Sequence, residues 1–164
     1  MSLNGADQDP FEQIERAILQ IGWLGQRQFM QLLADERFDL TVPQFHTLLH
    51  LTYCEGECNM SDLARSTHQS AASLTGVVDR LLEKQLVARG RPEGDRRQVV
   101  VSATERGRAL LQTIKRARRE EMRTALAHIQ PSELSELQRL LDAVLEGMLR
   151  VVELNGHHGP GNHG

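Results

Sequence analysis

Two histidines and two cysteines lie close together in the first half of the chain, and their side chains are of the kinds that bind soft metal ions. His46, His50 and Cys54 are spaced four residues apart, which places them on one face if this segment is helical, and Cys58 follows just beyond. Imidazole and thiolate are common zinc ligands. Such residues are more often a buried cysteine and two surface or interface histidines. We therefore predict no metal and no cofactor, and keep a metal-responsive protein as an alternative.

Cys54 and Cys58 suggest a redox switch as a second alternative. Their Cys-x-x-x-Cys spacing fits no thioredoxin-type motif. A reactive thiol needs a lowered pKa, and the neighbouring Glu55 and Glu57 would raise the pKa instead.

Motifs typical of enzyme active sites are missing from the sequence. There is no phosphate-binding loop, no Gly-x-Ser-x-Gly, no His-Glu-x-x-His and no convincing carboxylate pair. We therefore predict that the protein is not an enzyme. A protein-interaction module remains as the rival class of binding protein.

Basic residues are concentrated in one segment of a mildly acidic chain. The net charge is −3, yet residues 80–108 carry eight basic against four acidic side chains, and residues 1–40 carry seven acidic against three basic ones. A local basic segment of this kind is typical of a phosphate-binding surface.

Periodicity and start signals predict six helices and one β-hairpin. Of the 164 residues, 40% are hydrophobic and only 4% aromatic, which favours a mainly α-helical core. The predicted helices cover about 9–33, 42–54, 61–66 and 71–84, then roughly 25 residues from Thr104, and finally 132–154. Short β-prone segments at 86–89 and 98–102, on either side of a turn at 92–95, predict a two-stranded β wing.

The third and fourth predicted helices with this hairpin make a winged helix-turn-helix. The fourth helix begins with small and polar residues, which let a helix end enter a major groove. Arginines at the hairpin tip suit the electronegative minor groove. We therefore predict double-stranded DNA as partner, contacted by Ser70, Ala71, Ser73, Leu74, Thr75, Arg80, Arg91, Arg96 and Arg97.

The first, fifth and sixth helices are too long for a small DNA-binding domain to cover alone, and a second copy is the simplest partner. We predict an intertwined homodimer with a helical dimerisation region at 1–38 and 104–154, the winged helix-turn-helix at 39–103, and a disordered Gly/His tail at 155–164. Two recognition helices related by a twofold axis would read a palindromic operator. No stretch approaches the ~18 apolar residues of a membrane span, and no signal pattern is present, so we predict a cytoplasmic protein.

Several of these segments resemble the MarR-type winged-helix regulators. Asp95–Gly107 is similar to the family's wing signature, Asp-x-Arg followed by a β run and Leu-Thr-x-x-Gly, although Ala103 stands where leucine is usual. Ser73–Leu81 resembles the recognition helix, and Leu63-Ala64 and Leu40-Thr41-x-x-Gln44-Phe45 match the two preceding helices. Gln85 departs from the pattern, because a helix-ending glycine is common there.

The resemblance implies a triangular dimer that represses transcription until a small ligand or an oxidant releases it. It implies that Arg97 enters the minor groove and that Asp95 braces the wing arginines by a salt bridge without touching DNA. By the same analogy the effector is a small aromatic or phenolic anion held between the dimer helices and the DNA-binding domain. Its pocket would be lined by Trp23, Arg27, Phe45, His46 and Leu49, which are also plausible core residues.

Overall fold

The computed structural model describes residues 9–54, 57–90 and 99–156. The chain divides into two compact units, Met1–Arg119 and Glu120–Gly164. Six α-helices and three short β-strands follow one another in the order α1 (Pro10–Ala34), α2 (Val42–Tyr53), β1 (Cys58–Asn59), α3 (Met60–Ser66), α4 (Ala71–Glu83), β2 (Val87–Gly90), β3 (Val100–Ala103), α5 (Glu105–Leu126) and α6 (Pro131–Gly156). This confirms the mainly helical winged helix-turn-helix predicted from the sequence.

Side-chain caps explain why the helices begin where they do. The Asp9 carboxylate accepts a hydrogen bond from the Phe11 amide at the start of α1, and Thr41 and Gln44 form a reciprocal capping box at the start of α2. The Thr104 hydroxyl accepts the Gly107 amide at 3.1 Å and so caps α5. Each of these caps satisfies amide groups that have no partner within the helix.

Helix α4 ends on a residue that must adopt a left-handed conformation. Gln85 has φ 60°, and the Gln85 and Leu86 amides donate to the Leu82 and Leu81 carbonyls, both at 2.9 Å. This pair of hydrogen bonds is a Schellman motif. Gln85 therefore takes the place that a glycine commonly fills, as the sequence predicted, at the cost of backbone strain.

The sheet has three strands rather than the two predicted. Its order is β1-β3-β2, and both pairings are antiparallel. Cys58 pairs with Val101, and Val87 pairs with Ala103 at the other edge. The wing is thus anchored on both sides of β3, because the segment just before α3 supplies an additional strand.

The core of the first unit lies where α2, α3, α4, the sheet and the start of α5 meet. Helices α1 and α2 also contact each other, through side chains near the end of α1. The fully buried side chains include Leu33, Leu48, Leu51, Leu63, Leu74, Val78, Leu81, Val101, Leu111 and Ile114.

The second unit contains the last turns of α5 and helix α6. The Glu133 carboxylate accepts a hydrogen bond from the Gln130 amide at 2.9 Å, which fixes the first turn of α6 after Pro131 begins the helix. None of the α6 side chains described, residues 131–154, is buried.

Candidate nucleic-acid interface

The N-terminal turn of α4 presents small polar side chains to solvent. Ser70 is its N-cap, and its hydroxyl oxygen accepts a hydrogen bond from the Ser73 amide at 3.2 Å. Ala71, Ser73 and Thr75 are all exposed. The Thr75 hydroxyl donates to the Ala71 carbonyl at 2.9 Å, which leaves its oxygen lone pairs to accept from a base or a bridging water.

Leu74 does not belong to this surface, and its prediction as a DNA contact is wrong. The side chain is 0% exposed and lies in the hydrophobic core. It lies four residues before Val78 and seven before Leu81, so it begins the apolar stripe of the helix that these buried residues continue.

Arginines on α4 and β2 border the same surface. Arg80 is exposed and forms a salt bridge with Glu83 at 2.9 Å. Arg89, on β2, reaches Asp79 of α4 at 2.7 Å. Arg89 was not among the DNA contacts predicted from the sequence. The signal that identifies it is tertiary: Arg89 and Asp79 meet because β2 folds back beside α4.

A groove separates the recognition helix from the wing strands. It has a volume of about 610 Å³ and is lined by Met60, Thr75, Arg89, Gly90 and Val99. The hydroxyl group of Thr75 and the guanidinium of Arg89 are the polar groups of this lining, and side chains of both kinds can bond to phosphate oxygens.

The remaining predicted wing residues cannot be placed. Arg91, Asp95, Arg96 and Arg97 lie outside the described residues, and so do the tail histidines. The roles assigned to them stay predictions.

A buried hydrogen bond holds the helix-turn-helix connection against α2. The Gln69 side-chain amide donates to the Thr47 hydroxyl oxygen at 2.9 Å, and Thr47 is fully buried. The Gln69 side-chain carbonyl is buried without a partner. The polar residue in this connection therefore fixes α2 against the start of the recognition helix.

The histidine and cysteine residues form a cluster that differs from the predicted one. The ligand atoms of His50, Cys54 and Cys58 all lie within 4.8 Å of one another. His46 is exposed, and its ring lies against Phe45 with 5.7 Å between centroids. His46 does not join this cluster, because eight residues of helix place its backbone about 12 Å from that of Cys54.

Cys58 is a poor redox nucleophile. Its burial, followed by the hydrogen bond and charge interaction with Cys54 and the charge of Asp62, raises the pKa of the Cys58 thiol to about 12. The thiolate is the reactive form. Both cysteines are free thiols, and this environment argues against rapid oxidation at Cys58.

The residues proposed for an effector pocket are brought only partly together. Phe45 packs edge to face on Phe29 at 4.9 Å and is buried, so it belongs to the core. Trp23 is 59% exposed, and the Arg27 guanidinium lies 5.4 Å from its ring centre. Leu49 is half-buried.

A cavity of about 560 Å³ lies elsewhere in the first unit, between the end of α1, the end of α4 and α5. Its lining includes Phe38, Lys84, Leu86, Arg106 and Leu110. Two charged groups of the lining pair with each other, since Lys84 forms a salt bridge with Asp39.

Long apolar faces are exposed on α1 and α6. On α1 they include Phe11, Ile14, Leu19, Ile21 and Leu24, and on α6 they include Leu141, Leu145, Met148, Leu149 and Val152. Within the described ranges no helix has both the length and the apolarity to cross a membrane.

Comparison with known proteins identifies the family. The sequence profile of the MarR family matches residues 40–99. The chain is 26% identical over 144 residues to the HTH-type transcriptional repressor NicR of Pseudomonas putida, covering 85% of this chain and 89% of that protein. It is 30% identical over 113 residues to the uncharacterized HTH-type transcriptional regulator YfiV of Bacillus subtilis, covering 65% of this chain and 70% of that protein.

Solved structures share the fold. A variant of MepR from Staphylococcus aureus, bound to an oligodeoxyribonucleotide, superimposes with a TM-score of 0.68 at 20% identity, covering 82% of this chain and 97% of that one. These relatives are transcription regulators rather than enzymes. The chain belongs to the MarR family of winged-helix transcription regulators.

Proposed function

We propose that the protein is a homodimeric repressor that binds a palindromic operator through α4 and the wing, and that a small aromatic anion releases it. The observation that carries the DNA-binding site is the exposed polar start of α4 beside the groove lined by Thr75 and Arg89. A helix N-terminus attracts phosphate, and short hydroxyl side chains let it approach the base edges.

Each remaining surface residue has a role in this proposal. Ser70, Ala71, Ser73 and Thr75 face the major groove. Arg80 and Arg89 contact the backbone. Both arginines already pair with carboxylates, which orients each guanidinium while leaving other N–H groups free to donate to phosphate.

The wing extends the proposal beyond the described residues. Arg97 enters the minor groove, with Arg91 and Arg96 beside it and Asp95 bracing them. Arg97→Ala should weaken operator binding while leaving the dimer and the melting temperature unchanged.

Ser73→Glu tests the recognition helix directly. Ser73 is the third residue of α4, where glutamate favours a helix start, so the variant should fold normally. Its carboxylate would face phosphates and should weaken DNA binding at least tenfold. Ser135→Glu, at an exposed serine near the start of α6, adds the same charge elsewhere and should bind as the parent does. Equal binding by both variants would contradict the assignment.

The operator itself can be found by selecting from random double-stranded DNA with the purified protein. A dimer places two recognition helices about 34 Å apart, so the selected site should be palindromic with half-sites about 10 base pairs apart. A selected site without twofold symmetry would argue against the dimeric reading.

The proposal of a homodimer is supported by the apolar faces of α1 and α6. These faces carry large side chains that are about half exposed in one protomer. Exposed apolar surface of this extent is typical of an obligate interface. Leu145→Arg should give monomers in analytical ultracentrifugation and abolish operator binding, whereas Glu146→Arg, on the neighbouring position, should remain dimeric. A parent protein that sediments as a monomer would contradict the proposal.

Release by an aromatic anion is supported by the pairing of Arg27 with Trp23, a cation beside an exposed aromatic face. Trp23 is the single tryptophan of the chain, so its fluorescence reports on this site alone. Salicylate-like acids should quench it and release DNA over the same concentration range. Quenching without release would place the acid at a site unconnected with DNA.

A protein that represses transcription in this way acts in the cytoplasm.

A further inference from the structure

We infer that His50, Cys54 and Cys58 form a binding site for a thiophilic metal ion, with zinc as the chemical type. Their ligand atoms, one imidazole nitrogen and two sulfurs, lie within 4.8 Å of one another. Ligand atoms around one tetrahedral zinc are about 3.5 Å apart, so small side-chain rotations would bring these three atoms to that spacing. The donor set disfavours magnesium and calcium, which prefer oxygen.

The local backbone explains why these three side chains converge. His50 and Cys54 are one helical turn apart at the end of α2, and the Cys54 amide still donates to the His50 carbonyl at 3.3 Å. Cys54 then adopts an extended conformation and ends the helix. Strand β1 places Cys58 beside the last turn of α2.

The surroundings suit a metal ion that keeps one position open. Cys58 is buried, while His50 and Cys54 are half-buried, so the site is shielded on one side and accessible on the other. Residues described by the structure supply three protein ligands here, which leaves a fourth position for water or an anion. This arrangement favours reversible binding over a closed structural site.

Occupation of this site would bear on DNA binding, and this step rests on the proposed function. Cys58 pairs with Val101 of β3, and β3 pairs in turn with β2, which carries Arg89. A bound ion would therefore tie the end of α2 to the strand that supports the wing. Linkage requires that if the metal changes operator affinity, the operator changes metal affinity by the same factor.

The metal site is tested without DNA. The reduced full-length protein, stripped of metal by a chelator, is titrated with cobalt(II) and then with zinc. We expect a thiolate-to-cobalt charge-transfer band that saturates at one ion per protomer and is lost when zinc displaces cobalt. The band requires sulfur ligands, so weak binding by histidines elsewhere does not produce it. No such band would overturn the inference.

Variants assign the ligands. Cys54→Ser and His50→Ala, at half-buried positions, should each weaken cobalt binding at least tenfold with little change in melting temperature. His46→Ala, one turn earlier on α2 and exposed, is the matched control and should bind as the parent does. A band unchanged by Cys54→Ser, or lost with His46→Ala, would contradict the site. Formation of a Cys54–Cys58 disulfide in air, with no zinc protection of the thiols, would favour the redox alternative instead.

Operator affinity is then measured with and without one equivalent of zinc. We expect a change of at least fivefold in the parent and none in His50→Ala. An unchanged operator affinity together with a normal cobalt band would support the metal site but refute its regulatory role. DNA binding without any cobalt band would refute the metal site alone, and a cobalt band without DNA binding would refute the proposed function.

Discussion

Replacing Gly107 with alanine tests how closely α5 packs against the segment that follows α4. A Cβ at Gly107 would lie 2.2 Å from the Leu86 carbonyl oxygen and 3.0 Å from the Leu48 Cδ1 atom. The Leu86 oxygen cannot move freely, because it accepts a hydrogen bond from the Thr104 amide at 3.0 Å. Either α5 shifts by about 1 Å or that hydrogen bond breaks.

The size of the effect follows from three contributions. Overpacking in a fixed interior costs roughly 1–3 kcal/mol, and loss of the hydrogen bond adds about 1 kcal/mol. The better helix propensity of alanine stabilises the folded state by about 1 kcal/mol and so offsets part of this loss. The free energy of unfolding should therefore fall by about 2 kcal/mol, which for a chain of this length lowers the melting temperature by roughly 4–8 °C.

Gly76→Ala is the matched control, because a Cβ at Gly76 in α4 meets nothing within 4 Å. The same chemical change should stabilise the protein there by about 1 kcal/mol through helix propensity. Differential scanning calorimetry at one protein concentration measures both variants, since the melting temperature of a dimer depends on concentration. A Gly107→Ala protein that melts at or above the parent temperature would refute the packing argument.

Three further predictions concern single residues. Gln85→Gly should raise the free energy of unfolding by about 0.5 kcal/mol, because relief of the positive φ outweighs the extra freedom of the unfolded chain; a lower melting temperature would contradict this. Thr47→Val should lower the free energy of unfolding, measured in urea, by about 2 kcal/mol, because the Gln69 side-chain amide loses its buried partner. An effect under 0.5 kcal/mol would refute a stabilising role for this hydrogen bond. Arg37 lowers the pKa of Asp35 from 3.8 to about 2 by hydrogen bonds from its side chain and its amide, so this pair contributes stability above pH ~4 that is lost as the pH falls through 2. Asp35→Asn should therefore melt below the parent at pH 7 and by a much smaller difference at pH 2, and a constant difference would contradict the assignment.

Features encoded within a few residues were predictable from the sequence. The caps at Thr41 and Ser70 depend on side chains that bond to amides three residues on. The caps required no knowledge of the tertiary structure, because both partners of each hydrogen bond lie in the same short segment. The end of α4 at Gln85 followed instead from the family resemblance, in which a helix-ending glycine is common at this position.

Features that depend on distant pairing were missed. Strand β1 contains only two residues, too few to show alternation, and its partner Val101 lies far along the chain. The salt bridge between Arg89 and Asp79 forms only because β2 lies beside α4. Of the four histidine and cysteine residues named from the sequence, the structure brings His50, Cys54 and Cys58 together without His46.

Leu74 shows a different limit. Near the start of a helix, consecutive residues point in several directions, so polarity alone does not separate the DNA-facing side from the core. The fully buried Leu74 lies between the exposed Ser73 and Thr75. Only the helix phase set by Val78 and Leu81 assigns Leu74 to the core.

The salt dependence of operator binding tests the central claim most directly. Fluorescence anisotropy with a selected duplex, across a series of salt concentrations, measures how many phosphates the protein neutralises. Each contact adds about −0.9 to the slope of log affinity against log salt. A dimer using both recognition helices and their flanking arginines should give a slope of about −4 or steeper, with two protomers per duplex. A flat dependence, or no binding even in dilute buffer, would contradict the account.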